Sequence, residues 1–319
     1  MKQHALARLG QSAILVWLVS TIVFFWVRLL PGGPFQTMFG QQANPQVIKN
    51  MATEFGLNQP LYMQYLNWMS DLVLLDGGRS ITSGEKVTSI LLQAAPKSIS
   101  IAVLGAVIGL SLAFPAAIIS ATHKDRLPDI VSTIIAYIGL SMPGFFIGIL
   151  LALIFGVYLG WLPVFGYTPL SEGVIPWLKS VALPAAAVGL PYGAVVMRIT
   201  RSSLIDTLNA PYLRTARAKG VGSRVRLYKH ALQNALIPIV TIAGIQFGII
   251  VVGTVTVEFV FGINALGRLL VESILQRNYP VTQGVIILIA VMMILINIIV
   301  DLTYTVLDPQ ISYDSEARS

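Results

Sequence analysis

Six stretches of this chain are apolar for long enough to cross a bilayer, approximately residues 9–30, 96–121, 129–159, 180–202, 236–261 and 281–307. Crossing about 30 Å of hydrocarbon takes about 20 helical residues, and only helices or closed barrels satisfy their own backbone there. The pattern therefore predicts an all-α, polytopic membrane protein with six transmembrane helices. Charged residues are only 11% of the 319 and hydrophobic residues 55%. A soluble domain carries about a quarter of its residues charged, so the apolar excess has to face lipid. The fourth stretch is the weakest, because Pro184 and Pro191 interrupt it.

Lysine and arginine in short loops mark the cytoplasmic side. With the N-terminus inside, that side collects Lys2, Arg8, Lys124, Arg126, the basic loop between the fourth and fifth stretches and Arg318, and the short outer loops hold only Lys179, Arg268 and Arg277. The expected layout is a cytoplasmic N-terminus and first span over 1–30, an external segment over 31–95, and a five-helix core over 96–307. A cytoplasmic loop over 203–235 belongs to that core, and a cytoplasmic tail follows over 308–319. Both termini are inside. The first stretch is longer than a signal-peptide core and ends on Pro31-Gly32-Gly33-Pro34 without a small-residue cleavage site, so it reads as a retained span. Within 31–95, the amphipathic run from Pro60 to Met69 carries Tyr62, Tyr65 and Trp68, suited to a membrane interface. It serves equally as a cap on the helix ends or as a docking surface for an extracytoplasmic partner.

Several chemistries are excluded. There is no cysteine, hence no disulfide frame, thiolate metal site or Cys nucleophile. Phosphate-loop, H-E-x-x-H and G-x-S-x-G motifs are missing, and the phosphate-loop-like run from Gly78 to Val87 has the wrong spacing. His4, His123 and His230 are scattered without ligand spacing. The pI near 9.7 follows from loop cations and does not call for a nucleic-acid partner. The chain is read as non-catalytic, with no metal or cofactor of its own, and any energy source lies on another chain.

The most informative loop is basic. Between Arg198 and Lys229 there are eight cations (Arg198, Arg201, Arg214, Arg217, Lys219, Arg224, Arg226, Lys229) and one acid, Asp206. Pro211 suits a first helical position and Gly220 a left-handed C-terminal cap, which predicts a helix of about nine residues. Tyr212, Thr215, Ala216 and Lys219 share one face of it at i, i+3, i+4, i+7. Ser223 is expected to cap a second helix over 224–234. Headgroup binding is the alternative use of these cations, although the first helix lacks a large aliphatic face.

On these residues the chain resembles the permease subunits of bacterial ABC importers, and nearly all of it is similar to their dipeptide/oligopeptide group. Arg214-Thr215-Ala216-Arg217-Ala218-Lys219-Gly220 matches that group's form of the E-A-A-x-x-x-G signature. His230-Ala231-Leu232, Glu258-Phe259-Val260-Phe261 with Gly267-Arg268, Tyr279-Pro280-Val281 with Gln283-Gly284, Asp301-Leu302-Thr303-Tyr304 and Leu307-Asp308-Pro309 follow in order. Departures are Arg214 for the signature glutamate, Gly33 and Asn278 where Asp is frequent, and Gln310 where Arg is frequent.

The resemblance implies an ABC type I importer architecture in the bacterial inner membrane. Its partners are a second related permease, two cytoplasmic ATPases carrying ATP and Mg, an extracytoplasmic substrate-binding protein, and lipid. Tyr212, Arg214, Thr215, Ala216, Arg217, Lys219 and Gly220 are then the ATPase-coupling residues. The implied cargo is a small peptide; glutathione, a nickel chelate or an opine-like solute is the alternative, and a secondary transporter is the rival class. Polar groups at membrane depth are costly and mark paths, so Gln246, Glu258 and Asn297 are the translocation-path candidates, with interhelical hydrogen bonding as their other use.

Overall fold

The structure is a computed structural model describing residues 2–29, 33–35 and 45–307. Pro31, Gly32 and the 308–319 tail, with Gln310 and Arg318, lie outside the described residues. The elements are α1 (Lys2–Leu29), α2 (Pro45–Glu54), α3 (Leu61–Val73), α4 (Val87–Thr122), α5 (Leu127–Ser141), α6 (Gly144–Leu151) and α7 (Val174–Leu208). They continue with α8 (Pro211–Ala218), α9 (Ser223–Val260), α10 (Leu266–Leu275) and α11 (Tyr279–Leu307). Among the described residues five helices are long and apolar enough to cross a membrane, and a bent pair brings the number to six if it is counted as one span.

That bent pair corrects the third expected span. Residues 129–159 are not one rod: α5 and the helix from Gly144 to Tyr158 meet at 105°. Pro143 explains the break, because a proline pushes the residue before it out of the helical region. Met142 is accordingly extended at φ −98°, ψ 129°. The Pro143 carbonyl then accepts from Phe146 and Ile147 N–H at 3.0 and 3.1 Å, starting the next helix. Its last two turns, Ala152–Tyr158, are wound wider as a π-helix.

The weakest expected span is the most deeply packed. α7 continues through Pro184 and Pro191, and 72% of its apolar window is buried, against 17–39% in the other straight spans. A proline inside a helix frees the carbonyl four residues earlier, which for Pro191 is that of Ala187. A Cβ on Gly144 would lie 3.3 Å from the Ala187 oxygen, so the backbone of α6 closes over that carbonyl.

The contacts divide the chain into two compact units: Met1–Ser98 with Asn264–Ile294, and Ile99–Ile263 with Leu295–Ser319. In the first, Val23, Val27, Phe35, Ile81 and Tyr279 form a core joined by residues of α2. Tyr65 and Trp68 of α3 pack on Phe24 with centroids 5.2 Å away, and the Tyr65 hydroxyl meets Thr21 Oγ1 at 2.8 Å. Tyr65 and Trp68 of the amphipathic run therefore pack on α1, and Tyr62 is exposed. Asn278 ties the 79–86 loop down: its Nδ2 donates to Ser80 Oγ and Thr82 Oγ1 at 2.8 and 2.9 Å, and its Oδ1 accepts Ile81 N–H at 3.1 Å.

In the second unit, α7 packs against α5, α6 and α9. It also meets α4 glycine to glycine. Added Cβ atoms on Gly105, Gly109, Gly189 or Gly193 would strike the opposite backbone, as at 2.5 Å from Gly109 to the Gly189 oxygen. Side chains larger than hydrogen would force these helices apart.

Candidate functional site

The basic loop folds into α8, eight residues long, with Pro211 at its first position and Ala210 as N-cap. Gly220 takes φ +78°. Gly220 N–H donates to Arg217 O at 3.0 Å and Val221 N–H to Ala216 O at 3.1 Å, the paired bonds of a Schellman cap. Both ends of the helix are thus set where the sequence puts them.

The second expected helix is corrected. There is no separate segment over 224–234; α9 runs unbroken from Ser223 to Val260, through a π-helical stretch at Arg226–Ala231. Gly222, not Ser223, is the N-cap, and no side chain caps that end. The loop that follows α8 therefore leads directly into a 38-residue helix.

Anchoring of α8 is by Leu213, buried at 4% exposure, with Ala216 half-buried beside it on the same face. The Tyr212 hydroxyl accepts from Asn234 Nδ2 at 2.9 Å, fastening α8 to α9. Arg214, Thr215, Arg217, Ala218, Lys219 and Gly220 are exposed. The face expected to be shared by Tyr212, Thr215, Ala216 and Lys219 is thus divided: Ala216 leans on the body, and Thr215 and Lys219 look outward. Arg214 and Arg217 from α8 and Arg224 and Arg226 from α9 line a cavity of about 590 Å³ with no carboxylate in its wall.

Behind the loop is a buried ion pair that sequence reading missed. Arg201 Nε and Nη2 each donate to Asp129 at 2.7 Å. Ser120 Oγ donates to the same carboxylate, and Asp125 N–H does so at 2.9 Å. This joins α4, α5 and α7. Arg201 is therefore part of the fold rather than a free loop cation. Arg198, one turn earlier, is exposed, and nothing in local spacing separates the two.

The three path candidates are not brought together. Glu258 is fully buried. Gln246 is half-buried on the same helix, about 18 Å away along its axis at 1.5 Å per residue. Asn297, on α11, is exposed. Ile245, Ile249 and Val252 beside Gln246 are about half exposed, so that face of α9 meets lipid or another chain.

A bundle of apolar helices that carries a short cationic helix between two of its spans defines a multi-pass membrane protein. The chain belongs to the family of binding-protein-dependent transport system inner membrane components, whose model matches residues 113–313. The N-terminal model of the same systems matches residues 1–102. A probable peptide ABC transporter permease protein of Sinorhizobium fredii is 37% identical over 98% of this chain and 100% of its own. The glutathione transport system permease GsiC of Escherichia coli K12 is 38% identical over the same shares. A putative peptide transport system permease of Brucella suis is 34% identical over 97% and 98%. The fold is shared with a chain of the inward-facing methionine ABC transporter MetNI, with TM-score 0.57 and 15% identity over 69% of this chain and 97% of that one. An amino acid ABC transporter gives TM-score 0.50 and 15% identity over 68% and 93%.

Proposed function

We propose that this chain is one of two related permease subunits of an importer that carries small peptides across the bacterial inner membrane. A soluble extracytoplasmic protein delivers the cargo, and two cytoplasmic ATPases, which bind ATP and Mg, supply the energy. The relatives support the cargo class: the peptide permeases and the glutathione permease are about equally similar, and glutathione is itself a tripeptide.

The observation that carries the reading is α8. It is short, started by Pro211, closed by the Gly220 cap and rooted by Leu213, and its outer face offers Arg214, Thr215, Arg217 and Lys219. A rigid helix of this kind seats in an ATPase groove and passes its displacement to α7 and α9. Both termini and the 203–235 loop are cytoplasmic, and 31–95 is external. The layout of a first span over 1–30, a permease core over 96–307 and a tail over 308–319 belongs to the same reading. Gln246 and Asn297 have no hydrogen-bond partner among the described residues, which supports a place on the path or against the second permease; Glu258 is assigned as a buried support beside the outer mouth.

The test is co-purification of the ATPases with the permease pair, and ATP hydrolysis stimulated by loaded binding protein. Thr215→Trp and Ala218→Trp are the informative variants, because both sites are exposed and neither ring disturbs the core. Loss of ATPase binding with normal membrane insertion is the expected result. Full retention of binding and coupling in both variants would reassign α8 to the lipid headgroups.

A further inference from the structure

A second cavity, of about 180 Å³, lies within the first unit. It is smaller than the ~300–1,000 Å³ of drug-sized sites, and suits a group the size of one amino acid. None of the path candidates lines it.

Two of its wall residues are left short of partners. Arg28 is half-buried near the end of α1. Its Nε donates to Gln64 Oε1 at 3.1 Å and its Nη1 to Phe24 O at 3.0 Å, while the guanidinium carbon stands 3.5 Å from the Phe24 ring centroid. Among the described residues no carboxylate pairs with it, and Nη2 has no partner. A desolvated cation without an anion is costly. Gln283 is 2% exposed, and its Nε2 is buried without a hydrogen-bond partner. An unmet buried donor carries the full desolvation penalty. Both residues line the same cavity, and each keeps one nitrogen, Arg28 Nη2 and Gln283 Nε2, without an acceptor among the described residues. Asp71 stands exposed at the rim, with Trp68 and Ile81 supplying apolar wall.

We infer that this cavity binds a zwitterionic amino acid or the matching end of a short peptide, its carboxylate held by Arg28 and Gln283 and its ammonium by Asp71. The apolar wall takes an aliphatic side chain. Gln64 is a positioning residue. Its Nε2 donates to Leu57 and Gln59 carbonyls at 3.1 and 2.8 Å, which turns Oε1 towards Arg28 and fixes the guanidinium.

Isothermal titration of the full chain in lipid nanodiscs tests this, with L-leucine as probe. Leucinamide, which lacks the carboxylate, and 4-methylpentanoate, which lacks the ammonium, are the comparators. L-Leucine should bind saturably, and each comparator about tenfold or more weakly, the size of a lost hydrogen bond to a charged group. Arg28→Met should abolish binding. Gln283→Leu keeps the shape and removes an unmet donor, so it should weaken binding about tenfold while thermal stability is kept or rises; this separates a binding role from a folding one. Asp71→Asn, at the exposed rim, should erase the preference for leucine over 4-methylpentanoate. Absence of saturable leucine binding, unchanged affinity in Gln283→Leu, or an unchanged preference in Asp71→Asn would each overturn the assignment. No ATPase is needed for this measurement, so its failure leaves the role of α8 untouched.

Discussion

Arg201 and Asp129 meet through two parallel hydrogen bonds of 2.7 Å, a fork-to-carboxylate pair that joins α7 to the start of α5. Asp129 is almost wholly buried, its side chain 5% exposed. Removing one partner leaves the other charge uncompensated in a poorly solvated place.

Arg201→Met and Asp129→Asn are therefore expected to destabilise the fold by about 3–5 kcal/mol. Arg198→Met, exposed on the same helix, should change it by less than ~0.5 kcal/mol. Thermal unfolding of the detergent-solubilised chain compares them; equal midpoints would show that the pair contributes nothing.

The glycine contacts of α4 and α7 make a second prediction. Gly189→Ala places a methyl against the Gly105 backbone, and overpacking of this kind costs about 1–3 kcal/mol. Gly253→Ala, with nothing within 4 Å of the added carbon, should be neutral or stabilising. Reversal of that order would mean that α4 and α7 do not approach as closely as described.

Gly220 offers a graded test of the cap. Its φ of +78° lies in the left-handed region, which costs a non-glycine residue about 1–2 kcal/mol and asparagine less. Coupled ATP hydrolysis should fall in the order Gly, Asn, Ala, Val at this position. An added Cβ meets no neighbour within 4 Å there, so a loss in the alanine variant reports backbone strain rather than a clash.

Orientation can be read with single cysteines, since the chain has none of its own. Ser83→Cys and Ser223→Cys both sit at exposed positions. An impermeant thiol reagent added outside intact cells should label the first and spare the second. The opposite pattern would invert the topology and remove α8 from the reach of a cytoplasmic ATPase.

Local sequence determined what depends on the solvent each residue meets and on its own backbone preferences. Apolar runs of about 20 residues mark spans because lipid cannot satisfy a polar backbone, and the bounds of α8 follow from Pro211 and Gly220. Tertiary structure decided the rest. Pro143 breaks the third span, yet Pro184 and Pro191 leave α7 whole, and the Ala187 carbonyl that Pro191 frees lies against the backbone of Gly144. Arg198 and Arg201 look alike in the chain, and only the approach of Asp129, 72 positions away, makes one of them structural. Likewise Arg28 and Gln283 share a cavity although they come from the first and last helices. Such pairings depend on which helices touch, and an apolar run facing lipid looks the same whichever neighbour it packs against.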